Sequence, residues 1–140
     1  MKAGNLGIRD FDLISELKKE FKCKMVFAKK SQALNADGSL YQARCESFTR
    51  KTVNNITLPK EYLDKDDVVL IVDDFLAVGN AITALREIIS QSGATLAGVT
   101  TIVEKGFQKG GDKLREEGID LLSLAIVDKM EDRKITFRKN

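Results

Sequence analysis

The fold class is indicated most clearly by one stretch of the sequence, Val68-Val69-Leu70-Ile71-Val72-Asp73-Asp74-Phe75-Leu76-Ala77-Val78-Gly79-Asn80-Ala81-Ile82. Its first five residues are branched or large aliphatic residues with no polar break, a pattern typical of a central parallel strand that is buried on both faces. The segment 73–79 predicts a loop, and a helical period begins after it. A strand, a loop and a helix in succession indicate an α/β protein.

The chain after this stretch alternates between helix and strand patterns. Apolar spacings of three and four within residues 82–89 predict an amphipathic helix that ends at Gly93. The elements expected next are a buried strand at 94–103, a short charged helix at 113–117, a strand at 121–127 and an edge strand at 134–137. This is the βαβ rhythm of an open parallel sheet with helices on its faces.

The chain before this stretch predicts one more helix and a β-hairpin. The first ten residues show no clear period, and apolar spacings of three and four from Phe11 to Phe21 predict an amphipathic helix with Asp10 as its N-cap. The elements expected next are a buried strand at 25–28, a polar loop at 29–40, and two strands at 41–49 and 52–58 that end at Pro59. We therefore expect an α/β fold, an open parallel sheet flanked by helices with a β-hairpin, in a single domain of residues 1–140.

Composition excludes several classes of function. The 140 residues are 43% hydrophobic and 31% charged, as in a globular protein, and they contain no histidine, which excludes Ser-His-Asp triads and histidine-bearing zinc sites. A net charge of +2 argues against a nucleic-acid partner, and the longest apolar run, at 68–72, is too short to cross a membrane. Cys23 and Cys45 form no CxxC motif, which favours two free thiols in a reducing, cytoplasmic compartment.

The acidic pair and the loop after it predict a site for a phosphorylated sugar. In open α/β sheets, ligands bind beyond the carboxyl ends of the strands. Asp73 and Asp74 suit sugar hydroxyls or Mg2+, and the amides around Gly79 suit an anion. The motifs GxxxxGK[ST] and, after a strand, GxGxxG are absent, which excludes a P-loop and a dinucleotide fingerprint. The alternative is that the aspartates only end a strand and cap a turn, which the aliphatic run and the small-residue loop disfavour.

Five segments of the chain occur in an order that one enzyme family shares. They are MVFAKK at 25–30, SFTR at 47–50, the motif at 69–82, SGATLAG at 92–98 and IVEKGFQ at 102–108. Together they resemble the type I phosphoribosyltransferases, above all the xanthine phosphoribosyltransferase branch, over residues 24–137. The resemblance implies transfer of a phosphoribosyl group from 5-phosphoribosyl 1-pyrophosphate (PRPP) to a 6-oxopurine, chiefly xanthine. It also implies a homodimer.

The resemblance also implies roles for individual residues. Asp73 and Asp74 correspond to the acidic pair that holds the ribose hydroxyls, with Mg2+ bound indirectly nearby. The loop that wraps the 5-phosphate corresponds to Ala77, Val78, Gly79, Asn80 and Ala81. Lys105 corresponds to the lysine at the oxygenated edge of the purine, and Lys29 and Lys30 to basic residues near the pyrophosphate. Each lysine also has a purely structural interpretation, as a solvated side chain or as a basic pair that ends a strand. The hairpin at 40–52 would close over the site and exclude water.

The chain also departs from the family pattern at its N-terminal end. Family members carry a base-covering hood and a first sheet strand that ends in a pyrophosphate loop. Nothing in this sequence matches the hood, and the segment 5–8 is the only candidate remnant of the loop, without its acidic, serine and proline residues. We therefore expect an N-terminally short member of the family, in which part of the base pocket and of the pyrophosphate site is missing or rebuilt. Three alternatives follow: the chain is a truncated form, its activity is impaired, or a partner subunit completes the site. The alternative function is a PRPP- or nucleotide-sensing protein without catalysis, related to purine repressors. No helix-turn-helix pattern is visible, which disfavours a complete repressor.

Overall fold

An eight-stranded sheet organises the protein in the computed structural model, which describes residues 2–3, 19–20, 22–31, 37–47 and 52–138. The strands are β1 (Lys2–Ala3), β2 (Phe27–Ser31), β3 (Leu40–Ser47), β4 (Thr52–Pro59), β5 (Val68–Leu76), β6 (Thr95–Lys105), β7 (Leu121–Glu131) and β8 (Lys134–Phe137). Helix α1 spans Asn80–Ser92 and helix α2 spans Gly110–Glu116. Short 3-10 turns cover Lys60–Tyr62 and Gly106–Gln108.

The order of the strands across the sheet is β3-β4-β2-β1-β5-β6-β7-β8. From β2 to β7 neighbouring strands run parallel, whereas β3, β4 and β8 pair antiparallel with their neighbours. Strands β3 and β4 are the predicted hairpin. The α/β class, the parallel sheet with its flanking helices and the hairpin are therefore confirmed.

Helix α1 packs its apolar stripe against the middle of the sheet. Ile82, Leu85 and Ile88 are fully buried, and they share one core with Ile71 of β5 and Val99 of β6. Each such side chain contributes about 1.5–3 kcal/mol when it leaves water. The helix ends at Gly93, as predicted, in the left-handed conformation that glycine adopts without a steric penalty. No helix within the described ranges is long and apolar enough to cross a membrane.

Only one face of β5 is fully buried, which differs from the expected burial on both faces. Val69 and Ile71 lie under the helices, whereas Val68 is 72% exposed and Leu70 and Val72 are half-buried. The crossovers β5-α1-β6 and β6-α2-β7 run in the same direction across the sheet, so right-handed connections place both helices on one face. The opposite face has a shallow depression lined in part by Leu70, Val72, Thr100, Leu122 and Leu124.

Several strand boundaries differ from the sequence-based expectations, and two of these differences affect the candidate site residues. Lys29 and Lys30 lie inside β2 and not in a loop, because β4 offers them antiparallel partners at Thr57 and Ile56. Residues 73–76, expected in a loop, extend β5, because β6 continues beside them as far as Lys105.

Strand β1 was not expected, since two residues are too short to show a period. It lies between β2 and β5 and pairs parallel with both. The predicted helix from Asp10 to Phe21 lies outside the described residues except for Lys19 and Glu20, which are helical. The segment 5–8 also lies outside the described residues.

Candidate functional site

The predicted site residues meet at one edge of the sheet. Asp73 and Asp74 lie near the end of β5, the loop 77–79 follows them, and Lys105 ends the neighbouring strand β6. Carboxyl ends of parallel strands share one edge, so a motif on β5 and a lysine some 30 residues later become neighbours. The structure thus brings together the predicted sugar, phosphate and base contacts.

Asp73 is an unusual carboxyl group because it is buried beside a second one. It is 6% exposed, and its Oδ1 accepts a hydrogen bond from the backbone amide of Asp74 at 3.0 Å. Burial, together with the charge of Asp74, raises the pKa of Asp73 to about 7, and the nearby Lys30 only partly offsets this rise. Near neutral pH this carboxyl can therefore either donate or accept a hydrogen bond, which suits a sugar hydroxyl.

The loop at 77–79 presents main-chain groups at the start of α1. Gly79 is the N-cap of the helix with φ of 92°, and no side chain caps the helix amides there. The first turn of α1 carries no acidic residue, so the positive end of the helix dipole is not neutralised locally. A Cβ on Gly79 would lie 3.8 Å from Leu76 and 3.9 Å from Gly110, which are ordinary contacts. The backbone conformation, and not lack of space, therefore requires glycine at position 79.

The first turn of helix α2 packs directly against this loop at Gly110. A Cβ on Gly110 would clash with the carbonyl oxygen of Ala77 and lie 2.6 Å from the carbonyl carbon of Val78. Only glycine lets the first turn of α2 approach the loop this closely. The sequence analysis assigned no role to this residue. A pair of glycines that opens a helix is the signal that points to such close packing.

Asn80 joins the loop to the hairpin. Its side-chain Nδ2 donates a hydrogen bond to the backbone oxygen of Glu46, near the end of β3, at 2.8 Å. This side chain is therefore already engaged with the protein. A contribution of Asn80 to a phosphate site would come from its backbone amide at the helix start.

Lys105 lies over an aromatic ring. Its Nζ is 4.6 Å from the centroid of the Phe75 ring, within the range of a cation–π interaction. Phe75 is 43% exposed at the same edge of the sheet. This contact of Phe75 was not predictable from the sequence, because an apolar residue inside a predicted loop gives no sign of which cation it contacts.

The two lysines of β2 are separated by the pleat of the strand. Lys30 acts electrostatically on Asp73 and on Cys45, so it lies on the side of the acidic pair. Neighbouring residues of a strand point to opposite faces, so Lys29 points away from the face of Lys30. The structure therefore brings only Lys30 to the acidic pair.

The donors at this edge suit a magnesium ion that is shared with a ligand. Among the described residues, no group of three or more acidic or thiol side chains is assembled to hold a metal alone. Asp73 and Asp74 offer carboxylate oxygens at one point. Mg2+ in phosphate sites commonly takes one or two carboxylates, keeps water and binds the oxygens of its substrate. The residues present therefore fit Mg2+ that arrives with a phosphorylated ligand.

Curated proteins similar to this chain share one name. No family model matches the chain. The xanthine phosphoribosyltransferase of Lachnoclostridium phytofermentans is 46% identical over 120 residues, and that of Bifidobacterium adolescentis is 49% identical over 116 residues. These alignments cover 84% and 81% of this chain, and 62% and 60% of the two relatives. The chain thus spans about three-fifths of the length of these relatives.

Solved structures with a similar fold are adenine phosphoribosyltransferases. The enzyme from Thermoanaerobacter pseudethanolicus superposes with a TM-score of 0.71 at 25% identity, covering 89% of this chain and 67% of that one. The enzyme from Rhodothermus marinus gives a TM-score of 0.72 at 18% identity and covers 91% of this chain and 69% of that one. The second likeness shows the fold alone.

Proposed function

We propose that this chain belongs to the type I phosphoribosyltransferase family and that it transfers the phosphoribosyl group of PRPP to a 6-oxopurine, with xanthine preferred. The products are the nucleoside monophosphate and pyrophosphate, as in purine salvage. The observation that carries the proposal is the assembly of the acidic pair, the phosphate loop and Lys105 at one sheet edge. The names of the curated relatives support the choice of base.

The proposed reaction needs positioning and electrostatics more than acid–base chemistry. The bond from ribose C1 to pyrophosphate breaks with its electron pair leaving on the pyrophosphate, and a purine nitrogen then bonds to C1 and loses its proton. Positive charge develops on the ribose as the bond breaks. Asp73 and Asp74 hold the ribose hydroxyls and offset this charge, while the backbone of Ala77, Val78 and Gly79 holds the 5-phosphate. The backbone amides of Asn80 and Ala81 complete the phosphate site.

Lys105 selects the base in this scheme. Xanthine presents carbonyl oxygens where adenine presents an amino group, and an ammonium group donates to oxygen but repels an amino donor. The ammonium group of Lys105 lies 4.6 Å from the centroid of the Phe75 ring, which holds it at this edge of the sheet. A lysine at this position therefore favours an oxopurine.

The negative charge on the departing pyrophosphate is balanced by positive charge, from Mg2+ and from Lys30. When Mg2+ is bound with PRPP, it neutralises part of that charge, and Asp73 and Asp74 hold it indirectly. Lys30 adds positive charge from β2, where it already acts on Asp73. Lys29 lies on the other face of the strand, away from the acidic pair. We therefore assign it to the pyrophosphate side only as a member of the basic pair with Lys30.

The test is formation of xanthosine monophosphate from xanthine, PRPP and Mg2+, with adenine, guanine and hypoxanthine as competing bases. We expect transfer to xanthine above transfer to adenine, and weaker binding of PRPP in Asp74→Asn. Saturable binding of PRPP with no nucleotide product would rule out the enzyme.

We further propose a single-domain, cytoplasmic protein that forms a homodimer and has no nucleic-acid partner. Cys23 is exposed and Cys45 is buried, and both are free thiols, as in proteins of reducing compartments. The homodimer follows from the family resemblance. Analytical ultracentrifugation across a hundredfold range of concentration tests it, because a chain that remains monomeric throughout contradicts the proposal.

A further inference from the structure

The residue before Lys105 is a fully buried carboxylate with three donors. Glu104 is 0% exposed, and its Oε1 and Oε2 accept hydrogen bonds from Nη1 and Nη2 of Arg115 at 3.0 Å and 2.7 Å. The hydroxyl of Ser123 donates to the same Oε2. This two-pronged arrangement fixes the direction of the carboxylate and not only its charge.

Helix α2 is fitted to this carboxylate. A Cβ on Gly111 would clash with the carboxyl group of Glu104, so glycine is required where the helix crosses it. Burial alone would raise the pKa of Glu104, but the hydrogen bonds from Arg115 and Ser123 and the charges of Arg115 and Arg138 lower it below its ordinary value. The group is therefore held as an anion under the helix.

The residue after Lys105 is anchored by a second ion pair. Arg138 donates from Nε to Oδ1 of Asp128 at 3.0 Å, and its Nη2 lies 2.9 Å from the same oxygen. A Cβ on Gly106 would lie 3.0 Å from Arg138 Nη2 and 3.1 Å from Asp128 Oδ1. The backbone of Gly106 therefore rests directly on this pair.

Asp112 connects the two anchors. Its Oδ1 lies 3.8 Å from Nη1 of Arg115 and 3.6 Å from Nη1 of Arg138. We name the resulting chain of charges the loop clamp. Its members are Glu104, Arg115, Asp112, Arg138 and Asp128. The loop clamp runs from the residue before Lys105 to the residue after it, so Lys105 lies between two fixed points.

We propose that the loop clamp positions Lys105 for the purine, which rests on the proposed function of that lysine. A gain in stability is a weak explanation for a buried ion pair, because an apolar pair of similar size is often as stable. Orientation is the stronger explanation, since the ladder with β5 ends at Glu104 and the backbone of Lys105, the last residue of β6, pairs on one side only, with Val127 of β7. The members of the loop clamp are positioning residues, and Lys105 alone touches the base.

The test compares Arg115→Met with the double variant Glu104→Gln, Arg115→Met. The single variant leaves the buried charge of Glu104 without its partner, so we expect it to lose stability. The double variant removes both charges, so we expect it to regain that stability. We expect the KM for xanthine to rise about tenfold in both variants, with the KM for PRPP within about twofold of wild type, because misplacement by an ångström has effects of this size or more. Recovery of the wild-type KM for xanthine in the double variant would mean a merely structural role.

Arg86→Gln is the matched control. It breaks the 2.6 Å ion pair of Arg86 with Glu117, which also fastens α2 but does not touch the loop clamp. We expect the KM for xanthine to stay at the wild-type value in this variant. An equal rise in Arg86→Gln would overturn the positioning role.

A second readout needs no substrate and separates this inference from the proposed function. We expect Lys105 to be acetylated several times faster, by mass spectrometry, in the two loop-clamp variants than in wild type or in Arg86→Gln. Unchanged acetylation of Lys105 would overturn the inference even in an active enzyme. A wild-type protein that binds PRPP without transfer would overturn the proposed function, while the acetylation rates would still decide whether the loop clamp holds Lys105.

Discussion

At the scale of single residues, Asp73 makes the stability of the fold depend on pH. Its pKa is about 7 in the folded protein and 3.8 as the ordinary value, because burial and Asp74 disfavour its charged form. Between these values the folded state holds a proton that the unfolded state has released, so the contribution of Asp73 to stability is greatest below about pH 4 and is lost as the pH rises to 7.

Asp73→Asn tests this dependence because the amide imitates the protonated carboxyl. From pH 5 to pH 8 we expect the wild type to lose on the order of 1–3 kcal/mol of unfolding free energy through this group, and the variant to lose less. Urea denaturation at several pH values measures the difference. Asp66→Asn, at an exposed turn, is the control and should follow the wild type. Parallel profiles for wild type and Asp73→Asn would contradict the assignment.

Lys105→Ala tests the choice of base. A hydrogen bond from a charged donor contributes about 1.5–3 kcal/mol, so we expect kcat/KM for xanthine to fall roughly 10- to 100-fold while that for adenine changes little. Asp74→Asn should instead raise the KM for PRPP. Steady-state kinetics with both bases measure these effects. Equal purine preference in wild type and Lys105→Ala would contradict the role of the lysine.

The residues that sequence could identify are those whose signal is local. Asp73, Asp74 and Gly79 follow an aliphatic run within one short motif, so their position at a strand end was predictable. The partnership of Glu104 with Arg115 spans 11 positions and depends on how α2 crosses β6, which no local pattern encodes. The bond from Asn80 to Glu46 likewise joins two elements that are distant in sequence.

At the scale of elements, α2 shapes the phosphate loop. Gly110→Ala would gain about 1 kcal/mol of helix propensity but would place a methyl group against Ala77 and Val78, an overpacking that costs about 1–3 kcal/mol. The clash wins, and we expect weaker binding of ribose 5-phosphate by calorimetry. Lys113→Ala, on the exposed side of the same helix, should leave binding unchanged. Wild-type affinity in Gly110→Ala would show that the loop does not depend on α2.

Helix α1 fastens the hairpin at two points. Asn80 donates to the backbone of Glu46, and Gln91 donates to the backbone of Gln42, each at 2.8 Å. Asn80→Ala and Gln91→Ala should each lose about 0.5–1.5 kcal/mol of stability. Only Asn80→Ala, whose bond lies beside the site, should also change the KM for PRPP. A similar change in Gln91→Ala would mean that the effect is general loosening.

Element boundaries were less predictable than element types. The helix after Gly79 ends at Gly93 as expected, because a glycine at a helix end has a local cause. Lys29 and Lys30 were expected in a loop because they are polar, yet they form ladder pairs with β4. Pairing with a distant strand overrides local polarity, and β1 shows the same effect with only two residues.

At the scale of the whole molecule, the handedness of the crossovers determines which face of the sheet the helices cover. Both described crossover helices share one face, and their packing buries Val69, Ile71 and Asp73 on that side. The burial that builds the core is therefore also the burial that perturbs the acidic group. A sequence pattern could predict the strand, but only the handedness of the connections determines which of its faces is covered.

A ligand that binds at the site only in the folded state should stabilise the entire domain. Ribose 5-phosphate at about 100 times its dissociation constant adds roughly 2.7 kcal/mol, which corresponds to a rise in Tm of about 5–10 °C. Differential scanning fluorimetry measures the shift, with inorganic phosphate at the same concentration as the comparison. We expect a smaller rise with phosphate, and a smaller rise with ribose 5-phosphate in Asp74→Asn, since the proposal assigns Asp74 to the sugar hydroxyls. Equal shifts for the two ligands in wild type would mean that the acidic pair does not contact the ribose.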